Sequence, residues 1–142
     1  MYIDGAARGN PGPAGIGVIL EDANKQVVRN IDKFIGNATN NVAEYTALIV
    51  GMEAACKLGA KEIAVNTDSE LLAKQLGGEY KVKNPVLKGL YTKVLKILDN
   101  FDQVVINNIQ REENKGADKL ANKAIDSSAK IRVGKSFILK SK

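Results

Sequence analysis

The chain has 142 residues, 44% hydrophobic and 26% charged, a composition that excludes a wholly disordered protein and suits one globular domain. Its net charge of +5 is compatible with a polyanionic partner but does not require one. No apolar run approaches the roughly 18–20 residues that span a bilayer, so we expect no membrane association. The absence of histidine excludes the usual proton shuttle.

The first third of the chain predicts a three-stranded antiparallel meander. Residues 1–5, 15–22 and 26–35 are the predicted strands. The glycine- and proline-rich segment 9–15 separates the first two strands, and a short turn at 23–25 separates the second from the third. The simplest assembly of three such strands is a meander.

From residue 41 the pattern changes to alternating helices and strands. Predicted helices cover residues 41–58, 69–76, 88–101 and about 113–129, and predicted strands cover 61–67 and 104–109. This order favours an α/β sheet that is antiparallel on one side and parallel on the other. We therefore predict one domain at 1–129, followed at 130–142 by a basic tail that either lacks fixed structure or docks on the domain.

Four acids lie where carboxylates are costly. Asp4 and Asp68 follow apolar strand residues, and strand ends are where α/β sheets gather ligands. Glu44 and Asp118 are predicted to share the apolar faces of their helices. Each acid alone could be a helix cap, half of a structural salt bridge, or a residue whose helix phase is misjudged.

Four such acids in separate elements indicate a metal site. If they converge without a partner, burial and mutual repulsion raise their pKa values. Carboxylate oxygens suit Mg²⁺ or Mn²⁺, whereas zinc is disfavoured because the chain has no histidine and one cysteine. Acid clusters that hold two metal ions catalyse in-line displacement at phosphorus.

The glycine-rich segment DGAARGNPGPAG is neither a P-loop nor a dinucleotide fingerprint. It lacks the GKS/T sequence, and a strand follows it rather than a helix. It is a tight turn between strands. It also allows backbone amides and Asn10 to approach a sugar-phosphate chain, because glycine removes side-chain bulk.

With these residues in view, the chain resembles a type 1 ribonuclease H over residues 1–126. The resemblance rests on DGAARGNPGPAGIG at 4–17, TNNVAEYTALIVGMEAA at 39–55, NTDSELLAKQLGGEYKVKN at 66–84 and REENKGADKLANKA at 111–124. It implies an RNase H-like fold with strand order 3-2-1-4-5 and helices on both faces of the sheet. It also implies metal-dependent hydrolysis of the RNA strand of RNA·DNA hybrids, which leaves 5′-phosphate and 3′-hydroxyl ends.

The resemblance also implies roles for individual residues. Asp4 would bridge two ions, Asp68 and Asp118 would hold the ion near the attacking water, and Glu44 would hold the ion near the leaving 3′ oxygen and contact an RNA 2′-hydroxyl. The positions matching hybrid-contacting residues are Gly5, Asn10, Thr39, Asn40 and Asn41. The three asparagines could equally serve as turn or helix-cap residues, and both uses can coexist.

The sequence departs from well-known members of this family in three respects, one of which is that no N-terminal hybrid-binding domain is expected. Arg111 stands near the position of the catalytic-loop histidine, and arginine cannot act as a general base. Arg111 is expected to bind the scissile or product phosphate, with pairing to Glu112 or Glu113 as the alternative. The basic handle is missing, and Tyr80, Lys81 and Lys83 are either a reduced substitute or a solvated loop.

The expected partner is an RNA·DNA hybrid, with double-stranded RNA as a second candidate substrate. Rival interpretations are a non-cleaving hybrid binder, a DNA-strand nuclease and a fragment of a reverse transcriptase. The protein is expected to be a monomer. The single Cys56 and the lack of a signal-peptide pattern favour the cytoplasm. Cys56 and Tyr45 are predicted packing residues.

Overall fold

A computed structural model describes the backbone of residues 1–141 and the side chains of residues 1–128. The strands are β1 (Tyr2–Ala7), β2 (Gly12–Glu21), β3 (Val27–Ala38), β4 (Glu62–Thr67) and β5 (Gln103–Asn108). The helices are α1 (Asn40–Lys57), α2 (Glu70–Leu76), α3 (Pro85–Leu98) and α4 (Lys115–Ser141), and a 3-10 turn covers Arg111–Glu113. Within the described backbone, no helix combines the length and the apolar character that crossing a membrane requires.

The five strands form one mixed sheet in the order β3-β2-β1-β4-β5. β2 pairs antiparallel with both β1 and β3, whereas β4 pairs parallel with both β1 and β5. The predicted fold class and strand order are therefore confirmed. Because β1 and β4 are parallel neighbours, their carboxyl ends meet at the same edge of the sheet.

Helices cover both faces of the sheet. α1 packs against β1, β2 and α3, and the main hydrophobic core lies between these elements. α4 packs against β2 on the opposite face. Its approach is close, because a Cβ atom built on Gly17 would lie 2.1 Å from the carbonyl oxygen of Ala117. Glycine in β2 therefore sets the distance between α4 and the sheet.

Several element boundaries differ from the prediction. β2 begins at Gly12 rather than residue 15, because the Arg8 amide donates to the Pro13 carbonyl and closes a shorter turn. α3 begins at Pro85 rather than residue 88, because the Asn84 side chain caps it. α4 begins two residues late and continues past residue 129. The predicted tail at 130–142 falls in this region, beyond the side chains that the structure describes.

Candidate active site

Two of the four acids are placed by the ends of neighbouring strands. The β1–β4 ladder ends at the pair Ile3 and Thr67. Asp4 and Asp68 are the next residues of their chain segments, so both leave the ladder at the same level. Asp4 is in the middle of β1 rather than at its end, because β1 stays paired with β2 as far as Ala7. The functional edge is thus the end of the β1–β4 pairing.

Glu44 reaches this edge from α1, which covers one face of the sheet. It is 7% exposed, so its predicted buried position is confirmed. The Gly5 amide donates to Glu44 Oε1 at 2.7 Å. A Cβ atom on Gly5 would lie 2.3 Å from the backbone carbon of Ala43. Only glycine therefore allows α1 to come close enough for this hydrogen bond.

Asp4, Glu44 and Asp68 converge. One carboxylate oxygen from each lies within 4.8 Å of the corresponding oxygens of the other two. Asp118 approaches from α4, on the other face of the sheet, and lies close enough to Asp4 to raise the pKa of that carboxyl. Acids from β1, α1, α4 and the residue that follows β4 thus lie together at one edge of the sheet.

The predicted burial of Asp118 on the apolar face of its helix is wrong. Asp118 is exposed, whereas Ala117, Ala121 and Ile125 are buried. Successive helix positions differ by about 100°, so Asp118 lies beside the buried stripe rather than within it. From there its carboxylate accepts a hydrogen bond from Asn122 Nδ2 at 3.3 Å.

The convergence of carboxylates disfavours their charged forms. Burial is the main cause that raises the pKa of Asp4 to about 9, and the charges of Glu44 and Asp68 and the interaction with Asp118 add to it. Burial also raises the pKa of Glu44 to about 7, although the Gly5 amide opposes this rise. Without a cation, the site therefore holds protons near neutral pH.

The residues present fit a hard divalent cation. Glu44 Oε2 is buried and has no hydrogen-bond partner within the described part of the chain, and such an atom is costly unless a ligand satisfies it. The converging donors are all carboxylate oxygens, which Mg²⁺ and Mn²⁺ prefer. A bound cation would also relieve the repulsion between the acids.

Sequence reasoning missed two residues beside the acids. Asn114 is buried and donates to the Ile3 carbonyl and to Asp68. Thr67 is fully buried, and its hydroxyl accepts from the Ser69 amide and lowers the pKa of Glu44. Their sequence positions could have indicated both residues, because each is a short polar residue next to an apolar element and within four residues of a predicted acid.

The acids open into a cleft of about 360 Å³. Its lining includes all four acids together with Gly5, Asn40, Asn41 and Arg111. Arg111 is exposed and forms no salt bridge with any described residue, so the predicted alternative of pairing with Glu112 or Glu113 is not observed. Among the described residues, Arg111 is the arginine that lines the cleft, and its guanidinium is available to an anion.

Asn10 and Thr39 make structural hydrogen bonds at the start of α1, beside Asn40, which lines the cleft. Asn10 Oδ1 accepts from the Asn40 amide, and Asn40 Oδ1 accepts from the Ala7 amide, both at 3.0 Å. Thr39 caps α1 by accepting from the Val42 amide. Because a backbone N–H can only donate, each asparagine must turn its oxygen inward and its NH₂ group away.

The remaining predicted residues lie outside the cleft. Tyr45 is buried and its hydroxyl donates to Gln75, and Cys56 packs against the core, so both are packing residues as predicted. Tyr80 is exposed, and Lys74 Nζ lies 4.9 Å from the centre of its ring. Lys81 is exposed and no described residue pairs with it, so its predicted role stays a prediction.

The chain is similar to known proteins over most of its length. A family model described as reverse transcriptase-like matches residues 2–124. A ribonuclease H of Coxiella burnetii is 34% identical over 140 aligned positions, which cover 89% of this chain and 88% of the relative. The structure of LC11-RNase H1 in complex with an RNA/DNA hybrid superposes with a TM-score of 0.86 at 44% identity, covering 90% of this chain and 96% of the other.

Other relatives are longer than this chain. A bifunctional protein of Mycobacterium tuberculosis is 46% identical over 127 residues, which cover 89% of this chain but only 35% of the relative. The chain thus spans about a third of the length of this curated relative. The similarity concerns the domain that carries the four acids.

Proposed function

The chain belongs to the ribonuclease H family, and from this premise we propose that it is an endoribonuclease that hydrolyses the RNA strand of RNA·DNA hybrids. The observation that carries the proposal is the convergence of Asp4, Glu44 and Asp68 within 4.8 Å. A structural relative at 44% identity contains an RNA/DNA hybrid. The presence of all four acids favours a nuclease over a protein that only binds the hybrid.

Asp4, Glu44, Asp68 and Asp118 would hold two divalent ions, Mg²⁺ or Mn²⁺. When bound, such ions activate water and stabilise negative charge during displacement at phosphorus. In the proposed hydrolysis a water oxygen bonds to phosphorus, the bond to the 3′ oxygen breaks, and the departing 3′ oxygen takes up a proton from solvent. The products are a 5′-phosphate and a 3′-hydroxyl.

The chain's own residues would bind and orient the substrate. Arg111 carries a permanent positive charge and donors suited to phosphate, so it would bind the scissile or product phosphate. Because Arg111 cannot accept a proton, the proton of the attacking water would pass to a phosphate oxygen or to solvent. Glu44 would also accept a hydrogen bond from an RNA 2′-hydroxyl, the group that distinguishes RNA from DNA.

Polar groups in the cleft and at the start of α1 would contact the two nucleic-acid strands. The NH₂ groups of Asn10 and Asn40 point away from the backbone amides that their oxygens bind. Asn41 and the backbone of Gly5 line the cleft. Thr39 would reach a DNA phosphate while capping α1. We further propose that the protein acts as a monomer in the cytoplasm, with double-stranded RNA as a secondary substrate.

We expect cleavage of the RNA strand of a hybrid with Mg²⁺ or Mn²⁺, and none in EDTA, because the acid cluster needs a cation to bind phosphate. End-labelled hybrid, resolved on a denaturing gel, measures the reaction. Parallel reactions use single-stranded RNA, double-stranded RNA and double-stranded DNA of the same sequence. Absence of hybrid cleavage with every metal would overturn the nuclease, and equal cleavage of double-stranded RNA would overturn the hybrid preference.

Arg111→Ala is expected to lower kcat/KM about tenfold, the loss of one charge-assisted hydrogen bond worth about 1.5 kcal/mol. The fold should not change, because Arg111 is exposed and unpaired among the described residues. Steady-state cleavage of labelled hybrid provides the measurement. Arg29→Ala is the matched control, since Arg29 is also exposed but lies on β3, outside the cleft. If both variants keep the wild-type kcat/KM, Arg111 takes no part in binding the phosphate.

A further inference from the structure

One asparagine joins three of the four acids. Asn114 Nδ2 donates to the Ile3 carbonyl at 2.8 Å and to Asp68 Oδ2 at 3.2 Å. The Ile3 carbonyl belongs to the peptide unit that begins Asp4. The backbone carbonyl of Asn114 accepts the Asp118 amide at 3.1 Å. A single residue before α4 thus contacts Asp68 directly and the peptide units of Asp4 and Asp118.

The orientation of this amide is forced. Both groups that face Nδ2 are acceptors, a peptide carbonyl and a carboxylate, so only the NH₂ end of Asn114 can meet them. No residue with a single hydrogen to donate could serve both. The planar amide, with two donors on one nitrogen, matches this pair of acceptors.

Stability alone does not explain this residue. Asn114 is 1% exposed, and its Oδ1 has no hydrogen-bond partner among the described residues. A buried unsatisfied acceptor costs about 1–3 kcal/mol. An asparagine at the start of a helix usually caps it by accepting an amide with this oxygen, and here Oδ1 makes no such bond. The side chain is instead committed to β1 and Asp68.

We propose that Asn114 is a positioning residue that fixes the Asp68 carboxylate relative to Asp4 and Asp118, and so sets the geometry in which the site takes up its metal ions. The proposal rests on the proposed function of the acids. The β1–β4 ladder ends at Ile3 and Thr67, so backbone pairing does not hold Asp68 itself. Repulsion from the other acids would push its side chain outward. The donor from Asn114 opposes that movement.

The test measures metal binding as well as turnover. Asn114→Ala removes both donors, and Asn114→Asp keeps the size but has at most one hydrogen to donate. Both are expected to weaken Mn²⁺ binding, measured by calorimetry without nucleic acid, and to lower kcat, each about 10- to 100-fold. The KM for hybrid should stay within about threefold of the wild-type value, because Asn114 does not line the cleft. Excess Mn²⁺ should partly restore kcat.

Asn107→Ala is the matched control. Asn107 Nδ2 donates to Asn66 Oδ1 at 3.1 Å, so this variant also loses an asparagine hydrogen bond, but between exposed parts of β4 and β5. Its Mn²⁺ affinity and kcat should match wild type. Folded Asn114 variants with wild-type Mn²⁺ affinity would overturn the proposal. Failure of both variants to fold would assign Asn114 to the fold and also overturn it. If wild type binds Mn²⁺ but cleaves nothing, the proposed function fails while the binding comparison still decides the role of Asn114.

Discussion

Asp4→Asn is expected to abolish hybrid cleavage while hybrid binding survives. Asp4 is the acid whose pKa the other three all raise. The amide of asparagine removes its charge and replaces one oxygen with a donor. Losing several kcal/mol of charge stabilisation in the transition state corresponds to a fall in kcat of about 10³-fold or more. Fluorescence anisotropy with labelled hybrid should show affinity within about threefold of wild type, because phosphate contacts dominate binding.

The same substitution should stabilise the metal-free protein. The pKa of Asp4 is raised from 3.8 to about 9, mainly by burial. Between these two pH values the folded state keeps a proton that the unfolded state releases, so the free energy of unfolding falls as pH rises. Asp4→Asn removes this loss. In EDTA near pH 7.5 we expect a gain of at least about 1 kcal/mol, or roughly 3 °C in Tm.

The Asp4→Asn variant is thus expected to be inactive and, without metal, more stable than the wild-type protein. Asp32→Asn is the matched control, because it makes the same charge change at an exposed position on β3. Its activity and melting temperature should match wild type across the pH range. Normal cleavage by Asp4→Asn would refute the assignment of the acids to the metal site. An unchanged pH profile of stability would show that Asp4 does not hold a proton in the folded protein.

The parts of the site that sequence predicted are those that follow from local pattern and from ordered motifs. Asp68 directly follows an apolar strand. Glu44 has apolar residues three, four and seven positions further along its helix. Both positions can therefore be predicted from the local sequence. The phase of Asp118 was not, because it has Ala121 and Ile125 at helical spacing although it lies outside the buried stripe. One residue along α4 turns the side chain by about 100°, which takes it from the core at Ala117 to the cleft at Asp118.

The roles of Asn114 and Gly5 could not be predicted, because both depend on contacts between residues far apart in the sequence. The bond from Asn114 to the Ile3 carbonyl joins residues 111 positions apart, and no local periodicity encodes it. Gly5 was predicted only to offer its backbone to RNA. The structure shows that its amide is committed to Glu44 and that its missing side chain admits α1. Long-range contacts of this kind decide how the predicted acids are held.

Gly5→Ala is therefore expected to damage both stability and catalysis. The added Cβ would lie 2.3 Å from the Ala43 carbonyl carbon and 2.4 Å from the Glu44 amide nitrogen. Both are backbone atoms, so β1 or the start of α1 must move. Overpacking of this kind costs about 1–3 kcal/mol. The movement also breaks the bond from the Gly5 amide to Glu44, and a displacement near 1 Å lowers turnover about 100-fold.

Urea unfolding and steady-state cleavage by the folded variant measure the two effects separately. Gly89→Ala is the matched control, because Gly89 lies in α3 and a Cβ there would meet no atom within 4 Å. That variant should gain up to about 1 kcal/mol from helix propensity and keep wild-type activity. Wild-type stability and turnover in Gly5→Ala would show that α1 can retreat without cost. Lost stability with normal turnover would mean that the backbone of β1 does not position Glu44. A variant that is stable but inactive would show that Gly5 acts only through its hydrogen bond to the Glu44 carboxylate.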